Sequence, residues 1–194
     1  MNTPNKLTLA RIIATPVFMA TMIIDFPFHY LVSLVLFAAA SLTDMIDGKM
    51  ARKYNLVTDF GKFLDPLADK MLTTAAYLGF LFIFASNGLY ARQMTAIVFI
   101  VLFREFTVSS LRLVTAKSGL VVAANIWGKL KTVSQMVGLV TALFLYSLVS
   151  DFGLTLQPFC DIIIMVLFWI SAVLCVISGL IYLNECKGYI NPSK

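Results

Sequence analysis

Apolar residues run in long blocks along the chain, at approximately 7–25, 30–50, 65–86, 92–116, 125–149 and 159–185, with short polar connections between them. An α-helix needs about 20 apolar residues to cross a bilayer, so the pattern predicts an all-α fold of six transmembrane helices. The second and third blocks are less clean, because each carries aspartates at one end. No soluble domain, repeat or low-complexity tail interrupts the series, and residues 1–194 read as one six-helix domain.

The first block has a distinct beginning. Pro4 and Asn5 precede the run KLTLARIIATPVF, in which Lys6 and Arg11 read as amphipathic anchors. This predicts an amphipathic N-terminal segment lying along the membrane surface and leading into the first span, with a ligand-facing role for Thr8 or Arg11 as the alternative. Pro16 is expected to bend the helix. A cleavable signal peptide is not expected, since the stretch contains Arg11 and lacks a small-residue cleavage site.

Composition strengthens the membrane reading and charge orients it. The chain is 60% hydrophobic and only 13% charged, where a soluble domain has roughly 45–50% apolar and about 25% charged residues. Mean hydropathy is +0.89. Lys6 and Arg11 sit at the amino end. Lys49, Arg52, Lys53, Lys62 and Lys70 surround the connection between blocks two and three, and Arg112, Lys117, Lys129 and Lys131 that between four and five. The connections on the other side are almost free of Lys and Arg, apart from Arg92. The positive-inside rule then places both termini on the cytoplasmic side. The net charge of +5 is accounted for by this topology and by anionic lipid headgroups, so no nucleic-acid partner is implied. Cys160, Cys175 and Cys186 are spread along the last block, too far apart to pair with one another; they read as reduced packing residues.

Against this background, four aspartates stand out: Asp44, Asp47, Asp65 and Asp69. Residues three or four apart share a helix face, so they form two pairs on consecutive helices, at the cytoplasmic side. Facing each other, they make a four-carboxylate box that must be neutralised by cations. With no His or Cys nearby, hard divalent ions such as magnesium or manganese suit the oxygen donors, and two of them would match the arrangement that serves phosphoryl transfer. Gly48 and Gly61 remove side chains where a phosphate or nucleotide would approach backbone. Arg52, one turn past Gly48, has the guanidinium that binds diphosphate in bidentate fashion.

Together these residues fill every position of the pattern DxxDGxxARx8GxxxDxxxD, as Asp44, Asp47, Gly48, Ala51, Arg52, Gly61, Asp65 and Asp69. In this the chain resembles the CDP-alcohol phosphatidyltransferases. The resemblance extends over the whole chain and implies a six-helix membrane enzyme of the bacterial cytoplasmic membrane, a homodimer, with its site facing the cytoplasm. It further implies that Asp44, Asp47, Asp65 and Asp69 hold two divalent cations. Gly48, Ala51, Arg52 and Gly61 would contact the CDP moiety, and Asp65 and Asp69 would be catalytic, with Asp69 the general base. PNKLTLAR, NLVTDFGKFLDPLADK, REFTVSSLR and GKLKT look most like bacterial members that transfer the phosphatidyl group of CDP-diacylglycerol to sn-glycerol 3-phosphate. Asp59 stands where such members more often carry Asn.

The later blocks agree with an anionic acceptor. Arg104 lies near the middle of the fourth block, where a lone charge costs about 2.5–3.5 kcal/mol. Arg112 is two turns further on, close to the same face, and Lys129 and Lys131 open the next block. These four predict a basic pocket for the acceptor phosphate; pairing of Arg104 with Glu105, and lysines that serve only topology, is the competing reading. His29, the one histidine, falls at the opposite membrane face, and no Ser or Cys with a neighbouring base is apparent, so direct displacement is expected. Inositol phosphate, serine or phosphatidylglycerol as acceptor is the alternative within the family. An ion-coupled transporter is a distant one, since such proteins usually need more helices and inverted repeats.

Overall fold

Pro4, whose missing N–H costs nothing in a first helical turn, opens the first helix, and the chain then stays helical almost throughout. The computed structural model describes residues 2–53, 59–117 and 126–187. They form α1 (Thr3–Ile23), α2 (His29–Lys53), α3 (Asp59–Ile83), α4 (Gly88–Lys117), α5 (Ile126–Tyr146) and α6 (Gln157–Cys186), with no strand among the described residues. The N-terminal stretch is not a separate surface element. α1 starts at Thr3 and runs unbroken through Pro16, with Lys6 exposed but Arg11 buried. Helix α3 begins six residues before the apolar block it contains, because its opening turns are polar and a hydropathy reading leaves them out.

Among the described residues, four segments are long and apolar enough to cross a membrane: Asn5–Ile23, Pro66–Ser86, Ile126–Asp151 and Gln157–Cys186. They mark a membrane protein. In α2 the apolar part is shorter, His29–Asp44. At 30 residues α4 is long enough, about 45 Å at 1.5 Å per residue, but Arg104 and Glu105 interrupt its apolar run.

Helix α1 packs along α2 and α3, while α6 packs on α4 and α5, and α2 meets α5 to join the two groups. At the centre is an aromatic ladder: Tyr77 lies 5.2 Å from Phe168, Phe168 5.3 Å from Phe80, and Phe80 5.9 Å from Tyr146 between ring centroids. Gly79 lets α1 and α3 approach closely, since a Cβ there would fall 2.5 Å from Met22 Sδ. Outward, the helices expose Ile13, Val17, Phe99, Phe103, Phe159 and Val173, among many other large apolar side chains. So much exposed apolar surface is untenable in water and suits lipid. Cys160, Cys175 and Cys186 are free and buried, as packing residues should be.

Candidate active site

Among the described residues, charged side chains of α2, α3, α4 and α5 come together at one end of the bundle, the end that carries the start of α1 and the close of α6. A cavity of about 910 Å³ opens there. Asp44 from the late part of α2, Pro66 and Lys70 from early α3, and Arg104, Glu105, Ser109 and Arg112 from the second half of α4 line it, and Gly128, Lys129 and Lys131 of α5 and Ser178 and Tyr182 of α6 complete the wall. Among the described residues, five basic side chains face two carboxylates, a balance that favours a multiply charged anion.

Arg11 sets up the aspartate side. It projects from α1 into the contact with α2, where its side chain is 1% exposed. Its Nε donates to the carbonyl of Ala40 at 3.2 Å and its Nη1 donates to Asp44 Oδ1 at 2.5 Å. A surface anchor would snorkel; Arg11 instead is buried and fixes the first motif aspartate, whose side chain stays 42% exposed. Asp47, Gly48, Ala51 and Arg52 belong to α2 and Gly61, Asp65 and Asp69 to α3. Gly61 is buried. The side chains of Asp47, Ala51, Arg52, Asp65 and Asp69 lie outside the described residues, as does the space around Gly48, and so does the expected carboxylate box apart from Asp44.

The basic side is organised by Glu105. This carboxylate accepts from Arg104 Nη1 at 3.2 Å and also from Lys131 Nζ across from α5. One turn later Ser109 Oγ donates to the carbonyl of Glu105 at 2.6 Å and is itself met by Lys70 Nζ from α3. Three helices are thereby tied around one anionic residue. Burying cations in a lipid-embedded bundle requires such a partner. Arg104 pairs with Glu105, as the competing reading has it, and it also lines the cavity. Of the two lysines, Lys131 is the buried one and Lys129 is exposed, yet both reach the cavity wall.

Gly179 makes room for Arg104. A Cβ there would stand 3.3 Å from Arg104 Cγ, whereas one at Gly128 would be in ordinary contact, 4.0 Å from its Nη2. Further along α4, the Arg112 guanidinium lies over the ring of Tyr182, 5.5 Å from its centroid.

Glu105, Lys70, Ser109, Tyr182 and Arg11 are the site residues that the sequence did not reveal as such. The four-residue spacing of Glu105 and Ser109 on one helix is a signal that could have found two of them. Among the described residues no His or Cys lines the cavity, and its Ser178 and Thr132 hydroxyls are engaged with backbone: Ser178 Oγ donates to the carbonyl of Cys175 at 3.1 Å and Thr132 Oγ1 to that of Gly128 at 3.1 Å. His29 lies at the other end of the bundle, its Nδ1 3.3 Å from the Thr21 carbonyl oxygen. The wall offers binding groups and no activated nucleophile among the described residues.

The family model for CDP-alcohol phosphatidyltransferase matches residues 1–177. A CDP-diacylglycerol–glycerol-3-phosphate 3-phosphatidyltransferase of Bacillus subtilis (strain 168) is 43% identical, over 95% of this chain and 94% of its own length. Proteins of the same name from Rickettsia bellii (strain RML369-C) and Salmonella typhimurium (strain LT2) are 39% and 33% identical, over 97% and 96% of both chains respectively. With its motif residues at the end of the bundle where a basic cavity opens, and with relatives alike from end to end, the chain belongs to the CDP-alcohol phosphatidyltransferase family.

Proposed function

We propose that the protein is a phosphatidylglycerophosphate synthase, which transfers the phosphatidyl group of CDP-diacylglycerol to sn-glycerol 3-phosphate and releases CMP. The observation that carries the choice of acceptor is the cavity that gathers Arg104, Arg112, Lys129 and Lys131 beside Asp44. An acceptor that brings its own phosphate needs such a wall; serine does not. The names of the relatives point the same way.

In this reading Asp69 takes the proton from the 1-hydroxyl of glycerol 3-phosphate. The freed oxygen forms a bond to the β-phosphorus of CDP-diacylglycerol, and the bond from that phosphorus to the oxygen bridging to CMP breaks. CMP departs with the electron pair. Arg52, with the backbone at Gly48, Ala51 and Gly61, holds the CDP portion, and the basic wall holds the acceptor phosphate so that its hydroxyl end points to the aspartates. Fixing both reactants in this way removes much of the entropic barrier. Arg11 keeps Asp44 oriented.

Asp44, Asp47, Asp65 and Asp69 would hold two divalent cations, magnesium or manganese; the all-oxygen donor set and the partly exposed Asp44 carboxylate on the cavity wall suit hard ions. When bound, such ions supply electrophilic polarisation of the diphosphate and charge neutralisation. The protein acts as a single unit over residues 1–194, a homodimer by family resemblance. All six helices cross the bacterial cytoplasmic membrane, with both termini and the cavity toward the cytoplasm. From there the water-soluble acceptor enters, while acyl chains stay in lipid. Purified protein given CDP-diacylglycerol and magnesium, with glycerol 3-phosphate, serine and inositol phosphate in competition, should form product with glycerol 3-phosphate alone; product with serine instead would overturn the choice of acceptor.

A further inference from the structure

Three buried side-chain polar atoms lack a hydrogen-bond partner among the described residues: Tyr77 Oη, Arg104 Nε and Tyr182 Oη. Tyr77 belongs to the aromatic core, away from the cavity wall. The other two belong to residues that line the cavity. A buried polar atom without a partner costs free energy that the fold must offset, and when two of three such atoms belong to residues in the wall of one anion-favouring cavity, a ligand is the natural partner.

Tyr182 is the more telling. It is 5% exposed, near the end of α6, with its ring packed among Val108, Leu111 and Cys186. The Arg112 guanidinium over its face brings any phosphate that Arg112 binds next to the phenol. A phenolic O–H is a donor as well as an acceptor, and its rigid ring presents that donor at little cost in entropy. We propose that Tyr182 is an acceptor-binding residue whose hydroxyl donates a hydrogen bond to the phosphate of glycerol 3-phosphate, alongside Arg112. Helix α6, which carries no part of the aspartate motif, thereby contributes to the choice of acceptor. This inference rests on reading the cavity as the acceptor site.

Tyr182→Phe tests it, because the ring and its packing stay. The KM for glycerol 3-phosphate should rise about tenfold, equivalent to about 1.4 kcal/mol, while the KM for CDP-diacylglycerol does not move. Competitive inhibition by inorganic phosphate should weaken by a similar factor, which assigns the contact to the phosphate rather than the glycerol end. Arg112→Gln is the control for the underlying reading and should raise the acceptor KM as well. If Arg112→Gln raises it and Tyr182→Phe leaves both acceptor KM and phosphate inhibition unchanged, the role of Tyr182 is refuted and the cavity assignment stands. Should neither variant alter acceptor KM, the cavity assignment fails and the inference with it. Equal loss toward both substrates in Tyr182→Phe means a structural role and overturns the proposal; so does an acceptor KM that rises without any change in phosphate inhibition.

Discussion

Replacing Glu105 by glutamine removes one negative charge from a place where two cations depend on it. The Glu105 side chain is 17% exposed, with Arg104 at 12% and Lys131 at 8%, so water can do little to replace the lost partner. Removing one member of a buried pair costs about 3–5 kcal/mol in a dry interior. Here the cavity admits some water and glutamine still offers one acceptor oxygen, so the expected loss is about 2–3 kcal/mol. SDS-induced unfolding in mixed micelles can read it. Lys131→Met in the Glu105→Gln background takes away the surplus cation and should restore roughly half of the loss, a coupling of about 1 kcal/mol or more. Stability should return without function: acceptor KM stays raised in the double variant, because Lys131 belongs to the phosphate wall. If Glu105→Gln costs less than about 0.5 kcal/mol, as an ordinary surface substitution would, or if the two substitutions simply add, Glu105 does not organise the basic side and the reasoning fails.

Other outcomes follow from the same geometry. Arg11→Gln releases Asp44 and, with Asp44 holding a cation as proposed, should weaken the apparent affinity for magnesium about 10–100-fold, as loss of a residue that orients a metal ligand does; a magnesium titration of the purified variant, half-saturating at correspondingly higher concentration, checks this. In Gly179→Ala the new Cβ, 3.3 Å from Arg104 Cγ, must displace that arginine by a few tenths of an ångström; acceptor KM should rise while the KM for CDP-diacylglycerol holds. Gly79→Ala drives a Cβ to within 2.5 Å of the Met22 sulfur in the α1–α3 contact, far from the cavity. Its cost should be about 1–3 kcal/mol of stability, read by thermal unfolding, with both KM values unchanged.

The helices were legible because each contains an apolar block, and in four of them that block is as long as a lipid bilayer demands. Hydropathy misplaced only polar helix ends, such as the start of α3, where a helix continues past its apolar part. The aspartate pairs could be read from spacing, since neighbours on one helix face are fixed by local geometry. What joins helices could not. Arg11 looked like an interfacial anchor because nothing near it in sequence shows that α1 lies against α2 at Ala40 and Asp44. Nor does the sequence show which lysine of α5 meets Glu105; only the packing of α5 on the rest of the bundle turns Lys131 toward it. Tyr182 lies in an apolar helix with a mean appearance of core, and its unpartnered hydroxyl is visible only once Arg112 is seen above its ring.

The central claim is a single displacement in which glycerol 3-phosphate attacks CDP-diacylglycerol directly. Its most direct measurement is the release of CMP by purified protein in liposomes with magnesium and phosphatidyl-labelled CDP-diacylglycerol, with and without glycerol 3-phosphate. The account predicts one CMP for each labelled phosphatidylglycerophosphate when the acceptor is present, and neither CMP nor labelled protein when it is left out. A burst of CMP without acceptor, matched by label bound covalently to the protein, would contradict it.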